Sequence, residues 1–341
     1  MKIAIVILNW NGLKLLKKFL PSVLKHSGKN PIYIIDNYST DSSVKFVKET
    51  YPEIKFILNN DNFGYAKGYN EGLKKVKEEI YCLLNNDVEV TKDWLNPIIE
   101  EFTNNESVVI AQPKILDYKI KNKFEYAGAA GGFIDYFGYP YCRGRIFNNI
   151  EKDNGQYDQN IDIFWASGAC FFIRKNTYEL LNGFDENFIN HMEEIDLCWR
   201  LTNLNLNLKK RFLYKSVVFH LGGGSLNYEN PKKLFYNIRN QRWMIIKNMN
   251  LLNNFSPTIY VVQCINLFLG LYYLIINKTN HFREIYNAMF QSSIIINEKR
   301  VNISKSYRMT ISNEIKPKHF AIKSILYQYI IRARKKYSDL T

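Results

Sequence analysis

The chain of 341 residues lacks the phosphate-binding loops of two major nucleotide-binding classes. No G-x-G-x-x-G follows its first apolar run, and no G-x-x-x-x-G-K-[ST] occurs in the chain. These absences argue against dinucleotide oxidoreductases and P-loop NTPases. The chain also has neither a G-x-S-x-G elbow nor a His-Glu-x-x-His segment, which argues against α/β-hydrolases and zinc metalloproteases.

Cysteine is sparse in this chain. Its five thiols occur singly in apolar surroundings without a Cys-x-x-Cys pair, so we expect reduced side chains that lie mostly in the core. They are Cys82, Cys142, Cys170, Cys198 and Cys264. Met1 is not followed by a charged segment and a cleavable apolar run, and we therefore expect a cytoplasmic location.

Acidic residues are scarce in the C-terminal part of the chain. Residues 205–341 contain 22 Lys+Arg and 5 Asp+Glu, whereas residues 1–204 contain 24 and 27. A basic region of this kind binds nucleic acid or an anionic membrane. We favour the membrane, and no nucleic acid, because the basic residues surround the apolar segment Ile259–Ile276. That segment has the length of a short membrane span, an interfacial helix or a buried helix.

The residues that are present describe a folded α/β protein with 46% apolar residues. Over the first 112 residues, short apolar runs alternate with helical patterns. The predicted strands are Ile3–Leu8, Ile32–Asp36, Ile54–Leu58, Ile80–Leu84 and Val108–Gln112. The predicted helices are 13–26, 41–50, 65–78 and 91–103. This order predicts βαβ units with a mostly parallel sheet, which binds ligands beyond the carboxyl ends of its strands.

After this series the pattern changes. Residues 117–165 are rich in Gly, Tyr and Phe and predict loops and short strands over one side of the sheet. A further strand is predicted at Ala169–Ile173, and a basic strand ends at His220. The pattern is helical from Pro231 onward. We expect one α/β domain over 1–225 and a basic helical region over 226–341.

Three carboxylates, Glu193, Glu194 and Asp196, stand within one turn at the start of a predicted helix. The positive end of the helix dipole tolerates this charge, and the apolar neighbours would raise the proton affinity of a carboxylate toward the range of a general base. The alternative is an ordinary acidic first turn, in which Asp196 pairs with Arg200 at the i,i+4 spacing.

Asp87 follows the fourth predicted strand, at the mouth of the sheet. A carboxylate there can hold a hard divalent cation that binds the oxygens of a diphosphate, although a single Asp is also a common turn or helix cap. His220 is similarly open to two interpretations, as a metal ligand or as a structural residue at the end of a strand.

Several segments resemble motifs of one known family and occur in that family's order. They are Val6-Ile7-Leu8-Asn9-Trp10-Asn11-Gly12, Asp36-Asn37-Tyr38-Ser39-Thr40-Asp41, 62–72, Asn85-Asn86-Asp87, Ser167-Gly168-Ala169-Cys170, Gly183-Phe184-Asp185-Glu186 and Arg239-Asn240. Over roughly residues 6–239, the chain resembles the inverting family 2 glycosyltransferases with the GT-A fold, especially the rhamnosyltransferase-like branch.

The resemblance implies a nucleoside-diphosphate sugar as donor and a glycan or polyprenyl-linked acceptor. Asp36 would contact a pyrimidine base. The donor-binding residues implied are Asn9, Asn11, Asp36, Asn62, Gly64, Lys67, Asn70 and Asn86. Gly168 and Trp165 would lie on the acceptor side. The guanidinium groups of Arg143 and Arg145 are planar hydrogen-bond donors that suit a phosphate. The alternative is that both arginines belong to a solvated loop that binds no phosphate.

The same resemblance implies a metal and a base. Asn85-Asn86-Asp87 stands for the family's DxD motif, so Asp87 would bind Mg²⁺ or Mn²⁺ near His220. Glu193-Glu194 stands where the family has Glu-Asp, which makes Glu194 the implied general base of a single displacement with inversion. We expect a role in cell-surface polysaccharide synthesis, with peripheral attachment to the inner face of the cell membrane.

Three competing functions are less consistent with the residues. A processive synthase of the same fold would carry Q-x-x-R-W, whereas Gln241 directly precedes Arg242-Trp243. A sugar-1-phosphate nucleotidyltransferase would open with a glycine-rich basic loop, which Asn9-Trp10-Asn11-Gly12 is not. The third is a non-catalytic module that binds a sugar nucleotide or a membrane surface.

Overall fold

The computed structural model describes residues 1–204, 206–222, 230–249, 257–291 and 322–340. Within these residues, one sheet contains β1 (Ile3–Asn9), β2 (Ile32–Asp36), β3 (Lys55–Leu58), β4 (Ile80–Asn85), β5 (Val88–Val90), β6 (Val108–Asp117), β11 (Ile161–Asp162), β12 (Cys170–Arg174) and β13 (Lys209–His220). A second, small sheet contains β7 (Gly132–Ile134), β8 (Pro140–Cys142), β9 (Arg145–Ile146) and β10 (Asn149–Ile150). The helices are α1 (Leu13–His26), α2 (Ser43–Thr50), α3 (Gly64–Leu73), α4 (Asn96–Asn104), α5 (Lys175–Leu180), α6 (Glu193–Asn203), α7 (Pro231–Asn248), α8 (Pro257–Ile275), α9 (279–291) and α10 (Ile325–Ile330).

The main sheet is buried on both faces, which explains the continuous apolar runs of its strands. Along β1, Ala4 and Val6 belong to one core cluster, whereas Ile3, Ile5 and Ile7 belong to the other. This alternation follows from the two-residue period of a strand. The sheet therefore separates two apolar layers, each covered by helices or by the loops that follow β6.

The predicted strands and helices of the first 112 residues are observed, with differences at three helix ends and one additional strand, β5; helix α2 begins at Ser43 and not at 41. Helix α3 ends at Leu73, because Lys75 N–H and Val76 N–H turn back to the carbonyls three residues earlier at 3.0 Å. Helix α4 begins at Asn96 and not near 91, because Asp93 has a left-handed backbone (φ 59°) that no α-helix accommodates.

The strand order is β11-β13-β6-β12-β4-β1-β2-β3, with β5 paired to β13. Strands β1 to β4 are parallel, and β12 is inserted antiparallel between β4 and β6. Strand β13 runs parallel to β6, and its end pairs antiparallel with β5, where His220 lies opposite Val88. Two chain segments far apart in sequence, before β5 and at the end of β13, therefore meet at one edge.

Helix α7 is fastened to the body of the protein by a buried charge network. Lys247 Nζ lies 2.7 Å from Asp185 Oδ2 and 2.8 Å from Asp196 Oδ2. Arg200 Nε and Asn248 Nδ2 donate to the same Asp196 carboxylate at 2.8 Å. Burial alone would raise the pKa of Asp185, but the charge of Lys247 lowers it well below its usual range. The network joins α7, α6 and the turn before α6.

The last described segment, 322–340, lies against the small sheet. Ile325 is buried and its N–H donates to Asp135 Oδ2 at 2.8 Å, while the N–H of Tyr337 donates to Glu151 Oε1 at 3.0 Å. The ring of Tyr337 stacks with that of Tyr141 at 6.4 Å between centroids. These contacts place the C-terminal segment beside the strands of 132–150.

Helix α8 is the one helix among the described residues that is long and apolar enough to cross a membrane. Most of its residues are exposed, including Phe268 at 71% and Ile275 at 79% of their accessible surface. It packs against α7 and also against α9, where Gly270 lies beside Phe282 and Ile285. The boundary predicted after residue 225 lies outside the described residues.

Replacing Lys247 with Met should lower the free energy of unfolding by about 3 kcal/mol, because it leaves Asp185 and Asp196 buried with less compensating charge. Urea unfolding at pH 7 measures this, with exposed Lys232→Met on the same helix as the control. Because the pKa of Asp185 is lowered, the pair stabilises the protein above about pH 4, the ordinary aspartate pKa. The difference between variant and wild type should shrink as the pH falls below that value. Equal unfolding midpoints for both variants at pH 7 would contradict the network.

Candidate functional site

Polar side chains join the loops at the carboxyl ends of β1 and β2. Asn9 and Asp36 lie opposite each other in the sheet, and Asn9 Nδ2 donates to Asp36 Oδ2 at 2.9 Å. The other carboxylate oxygen accepts the N–H of Ser39 at 2.8 Å. Asp36 is 1% exposed, so in this structure its carboxylate holds the loop together. Its contact with a base stays a prediction.

Asn11 connects the first two loops directly. Its backbone is left-handed (φ 48°), and its Oδ1 accepts the N–H groups of Thr40 at 2.8 Å and Asp41 at 3.2 Å. Asn86, which follows β4, donates from Nδ2 to Asn9 Oδ1 at 3.2 Å. A Cβ on Gly12 would lie 2.2 Å from the same oxygen, so only glycine fits there. The structure therefore brings together the predicted donor residues Asn9, Asn11, Asp36 and Asn86.

The segment from Asn62 to Asn70 divides into two parts. Asn62 Oδ1 accepts the N–H of Gly64, which has φ 72° and begins α3, and Lys67 Nζ lies 4.4 Å from the ring centre of Phe63. These residues lie at the open side of the loop. Asn70, in contrast, accepts the phenol of Tyr178 at 2.6 Å and donates to the carbonyl of Phe184 at 2.9 Å.

In this structure Asn70 has a structural role, and the donor-binding role that the resemblance implied stays a prediction. Both functional groups of its amide are used to hold the turn before α6. A Cβ on Gly183, which has φ +66°, would lie 2.4 Å from Asn70 Oδ1. Asn70 and Gly183, which belong to two different motifs, therefore lie directly against each other.

Asp87 and His220 meet at the edge formed by β5 and β13. His220 Nε2 lies 3.0 Å from Asp87 Oδ1, and both side chains are buried. A third group, Glu125, lies on the other side of the ring, with Oε2 3.3 Å from His220 Nδ1. Burial alone would lower the pKa of His220, but the carboxylates of Glu125 and Asp87 raise it well above its ordinary value.

This arrangement fits a divalent cation in its donor chemistry. The Asp87 carboxylate and the amide nitrogen of Asn85 lie 3.0 and 3.5 Å from the same ring nitrogen, His220 Nε2. The described residues contain no cluster of three or more His, Cys, Asp or Glu side chains arranged to hold a metal. Such a site suits Mg²⁺ or Mn²⁺, which proteins bind through one or two carboxylates and substrate phosphates.

The three acids of α6 have different environments. Asp196 is fully buried and paired with Arg200 and Lys247, so it serves structure and is not available as a base. The i,i+4 pair with Arg200 that the sequence offered as the alternative is observed. Glu193 is 4% exposed, and one oxygen of each of Glu193 and Glu194 has no hydrogen-bond partner.

Glu194 is half-buried, and its carboxylate lies beside Gly168. Burial raises the pKa of Glu194, although hydrogen bonds to the backbone at Gly168 and Ile195 act in the opposite direction. Burial and the charge of Glu194 raise the pKa of Glu193 well above its usual range. Glu193 and Glu194 both have a raised pKa and an unpartnered, buried Oε2, but Glu194 is the more exposed of the two residues.

The backbone around Glu194 is held by contacts from three directions. Met192, the residue before the helix, is left-handed with φ 72°. Asn240 on α7 donates to the carbonyls of Asn190 and His191 at 2.8 Å, and the phenol of Tyr65 donates to the carbonyl of Gly168 at 2.8 Å. Tyr65 was not among the predicted site residues, although it stands within the matching motif between Gly64 and Lys67.

The remaining acceptor-side residues are buried in the fold. Trp165 is 3% exposed, and its Nε1 donates to the carbonyl of Phe133 at 2.8 Å. Arg143 donates to the carbonyls of Tyr157 and Gln159 at 2.8 and 2.9 Å, which gives it a structural role, while its binding of a phosphate stays a prediction.

Arg145 is buried as well. Its guanidinium lies 4.4 Å from the ring centre of Tyr126, and it donates to Cys142 Sγ and the carbonyl of Phe147. The solvated loop considered as the alternative for the two arginines is not observed, because both side chains lie in the core at 6% exposure.

Comparison with protein families resolves the assignment. Residues 4–181, just over half of the chain, match the family described as Glycosyl transferase family 2. The chain belongs to glycosyl transferase family 2. This result confirms the resemblance drawn from the motifs between β1 and β12.

Three curated relatives share 22–24% identity with this family 2 chain. The "Low-salt glycan biosynthesis hexosyltransferase Agl10" of Haloferax volcanii is 24% identical, over 60% of this chain and 63% of the relative. The "N-acetylglucosaminyl-diphospho-decaprenol L-rhamnosyltransferase" of Mycobacterium tuberculosis is 22% identical over 54% and 66%. The "Rhamnosyltransferase WbbL" of Escherichia coli is 22% identical over 57% and 74%. The chain thus covers less than two thirds of the length of the first two.

Two solved structures show the same architecture. GalNAc-T7 with UDP, GalNAc and Mn²⁺ superposes with a TM-score of 0.54 at 16% identity, over 76% of this chain and 52% of that one. S. aureus TarS 1-349 with UDP-GlcNAc superposes with a TM-score of 0.50 at 12% identity, over 92% and 93%. The likeness establishes the fold, which is the predicted GT-A fold with its mostly parallel central sheet.

Replacing Asp87 with Asn should weaken binding of Mn²⁺ and the metal dependence of donor binding, because it removes the one carboxylate that lies beside His220 Nε2. The electron paramagnetic resonance signal of free Mn²⁺ measures the first effect, and calorimetry with UDP in the presence and absence of EDTA measures the second. Asp117→Asn, on the neighbouring strand β6, is the control. If EDTA does not weaken UDP binding to wild type, and Asp87→Asn binds UDP as wild type does both with and without EDTA, the metal assignment is wrong.

Proposed function

We propose that this protein transfers a sugar from a nucleoside-diphosphate donor to a hydroxyl group of a glycan or lipid-linked acceptor, with inversion. The observation that carries the proposal is the half-buried Glu194, whose carboxylate has a raised pKa, places Oε1 beside Gly168 and leaves Oε2 without a hydrogen-bond partner. Family membership and the donor loops of β1 and β2 support it.

In this mechanism, the Glu194 carboxylate accepts the proton of the acceptor hydroxyl. The acceptor oxygen then forms a bond to the anomeric carbon as the bond from that carbon to the diphosphate oxygen breaks. The nucleoside diphosphate leaves from the opposite face, which inverts the linkage. A divalent cation bound by Asp87 and His220 would supply positive charge for the leaving diphosphate.

The raised pKa of Glu194 suits this step. A carboxylate with an ordinary pKa is a weak base toward a sugar hydroxyl, and a higher proton affinity brings it closer to the operating pH. The side chain of Glu194 is longer by one methylene than the aspartate that the resembled family carries at this position. Its Oε2 has no hydrogen-bond partner.

The acceptor class is argued from the relatives and from the C-terminal part of the chain. A curated relative is named for transfer to a diphospho-decaprenol, a lipid-linked diphosphate. Here, the apolar helix α8 is largely exposed, and residues 205–341 carry a balance of +17. We infer that this region lies at an anionic membrane surface, at the cytoplasmic face, where such an acceptor would be presented.

Replacing Glu194 with Gln should reduce turnover about 10²- to 10⁴-fold and leave donor binding unchanged, because the amide keeps the shape and cannot accept the proton. Because the pKa of Glu194 is raised, the wild-type rate should fall as the pH drops through a value above that of an ordinary glutamate, near 4.3. The variant should lose this limb of the pH profile. Steady-state kinetics with UDP-, GDP- and dTDP-sugars provide the measurement.

Glu193→Gln is the matched comparison for this experiment, since it lies next in the chain and is almost fully buried. Near-wild-type turnover in Glu194→Gln, with loss in Glu193→Gln, would move the role of base to Glu193. Binding without turnover of any of the three donors would favour the non-catalytic module.

The full-length protein should sediment with vesicles that contain anionic lipid at low salt and be released as the salt concentration rises, because each basic residue near the surface contributes about 1 kcal/mol. Phe268→Glu combined with Ile275→Glu should weaken this binding by adding charge to the exposed face of α8. Leu180→Glu, at an exposed apolar position of α5, is the control. No sedimentation with anionic vesicles at low salt would show that α8 and α9 are only a packed helical region.

A further inference from the structure

Glu125 is a buried carboxylate that belongs to none of the recognised motifs. It is 3% exposed and follows β6 in the connection to β7. Its hydrogen bond in the described part of the chain comes from the N–H of Ala127 at 2.5 Å, and the His220 ring nitrogen Nδ1 lies 3.3 Å away. Burying a carboxylate is costly unless positive charge or strong donors compensate. The charges of Arg145 and Lys233 act on Glu125 from nearby, and the His220 ring lies in direct contact with its carboxylate.

The imidazole of His220 lies between two carboxylates, one on each ring nitrogen. Its Nε2 lies 3.0 Å from Asp87, on the side of Asn85 and the nucleotide loops, and its Nδ1 lies 3.3 Å from Glu125. The two nitrogens of a histidine are chemically distinct, and the hydrogen bond on one decides which atom is free to bind a metal. Here the two sides of the ring have different surroundings, and only the Nε2 side faces the proposed cation.

We propose that Glu125 is a positioning residue: its carboxylate, 3.3 Å from Nδ1 of His220, favours a proton on that nitrogen, so that Nε2 is the nitrogen available to the divalent cation beside Asp87. This inference rests on the proposed function, because it assumes a cation at Asp87 and His220. Carboxylates placed behind metal-binding histidines fix the tautomer and the ring orientation and make the histidine a stronger ligand.

A neutral amide in the Asn85-Asn86-Asp87 segment makes a second carboxylate near the cation site important. Asn85 occupies the position where the resembled family carries its first aspartate, so the segment offers the cation a single carboxylate, Asp87. A second negative charge is present in Glu125, and it acts on the cation site through the imidazole of His220. The chain thereby regains negative charge at the site from a segment outside the motif.

The backbone holds these groups in place independently of any ligand. The carbonyl of His220 accepts the N–H of Tyr118 at 2.9 Å, and the carbonyl of Asp87 accepts the N–H of Leu221 at 3.0 Å. The N–H of Glu125 donates to the carbonyl of Ile115 at 3.1 Å. Each of the three groups is therefore fixed to β6 or β13, and the site is organised before the metal binds.

The test uses the full chain and Mn²⁺ alone, without nucleotide. Glu125→Gln removes the charge and keeps the shape, and Glu125→Leu also removes the acceptor for the Nδ1 proton. We expect Mn²⁺ to bind about 10-fold more weakly to the first variant and up to about 100-fold more weakly to the second. The free Mn²⁺ resonance signal measures the affinities. Nitrogen-15 spectra of the His220 ring in Mg²⁺-loaded protein should show Nδ1–H in wild type and a shifted tautomer in Glu125→Leu.

Glu151→Gln is the control, because this partly buried carboxylate accepts the phenol of Tyr157 at 2.9 Å and does not contact His220. It should leave Mn²⁺ affinity unchanged. The proposal is overturned if both Glu125 variants bind Mn²⁺ as wild type does, or if their affinity falls only in proportion to a lower Tm with the tautomer unchanged. If wild type and Asp87→Asn bind Mn²⁺ equally, the metal site itself is wrong, which is a different result.

Discussion

The pairing of β5 with the end of β13 is the constraint on which the site depends. Backbone hydrogen bonds between these short segments place Asp87 beside His220, and the same edge carries Glu125. Because backbone pairing sets the positions, the charged groups do not need a ligand to bring them together. A cluster of two carboxylates and an imidazole can then remain buried, with each negative charge next to the ring.

The strand and helix order of the first 112 residues could be predicted because each element is encoded locally. Strands buried on both faces read as continuous apolar runs, and helices between them read as amphipathic repeats. The donor loops could be predicted from the same order, since parallel strands present their carboxyl ends at one edge. Asn9, Asn11, Asp36 and Asn86 are close together for this reason.

The contacts that could not be predicted connect residues far apart in sequence. No periodicity marks Glu125 as the partner of His220, or Lys247 as the partner of Asp196. Asn70 has the amide of a donor-binding residue, and only the turn at Gly183 shows that it is used inside the protein. The two buried arginines, Arg143 and Arg145, were unpredictable for the same reason, because their acceptors are backbone carbonyls or a thiol that any sequence could supply.

The attachment of α7 has a consequence for how the protein can be divided. Lys247 and Asn248 neutralise and hydrogen-bond Asp196, while Asn240 holds the left-handed turn that leads to Glu194. A fragment that ended before Pro231 would keep every recognised motif up to the acids and still lose the anchor of its catalytic helix. The smallest fragment that keeps the catalytic helix anchored therefore has to include α7 together with the sheet.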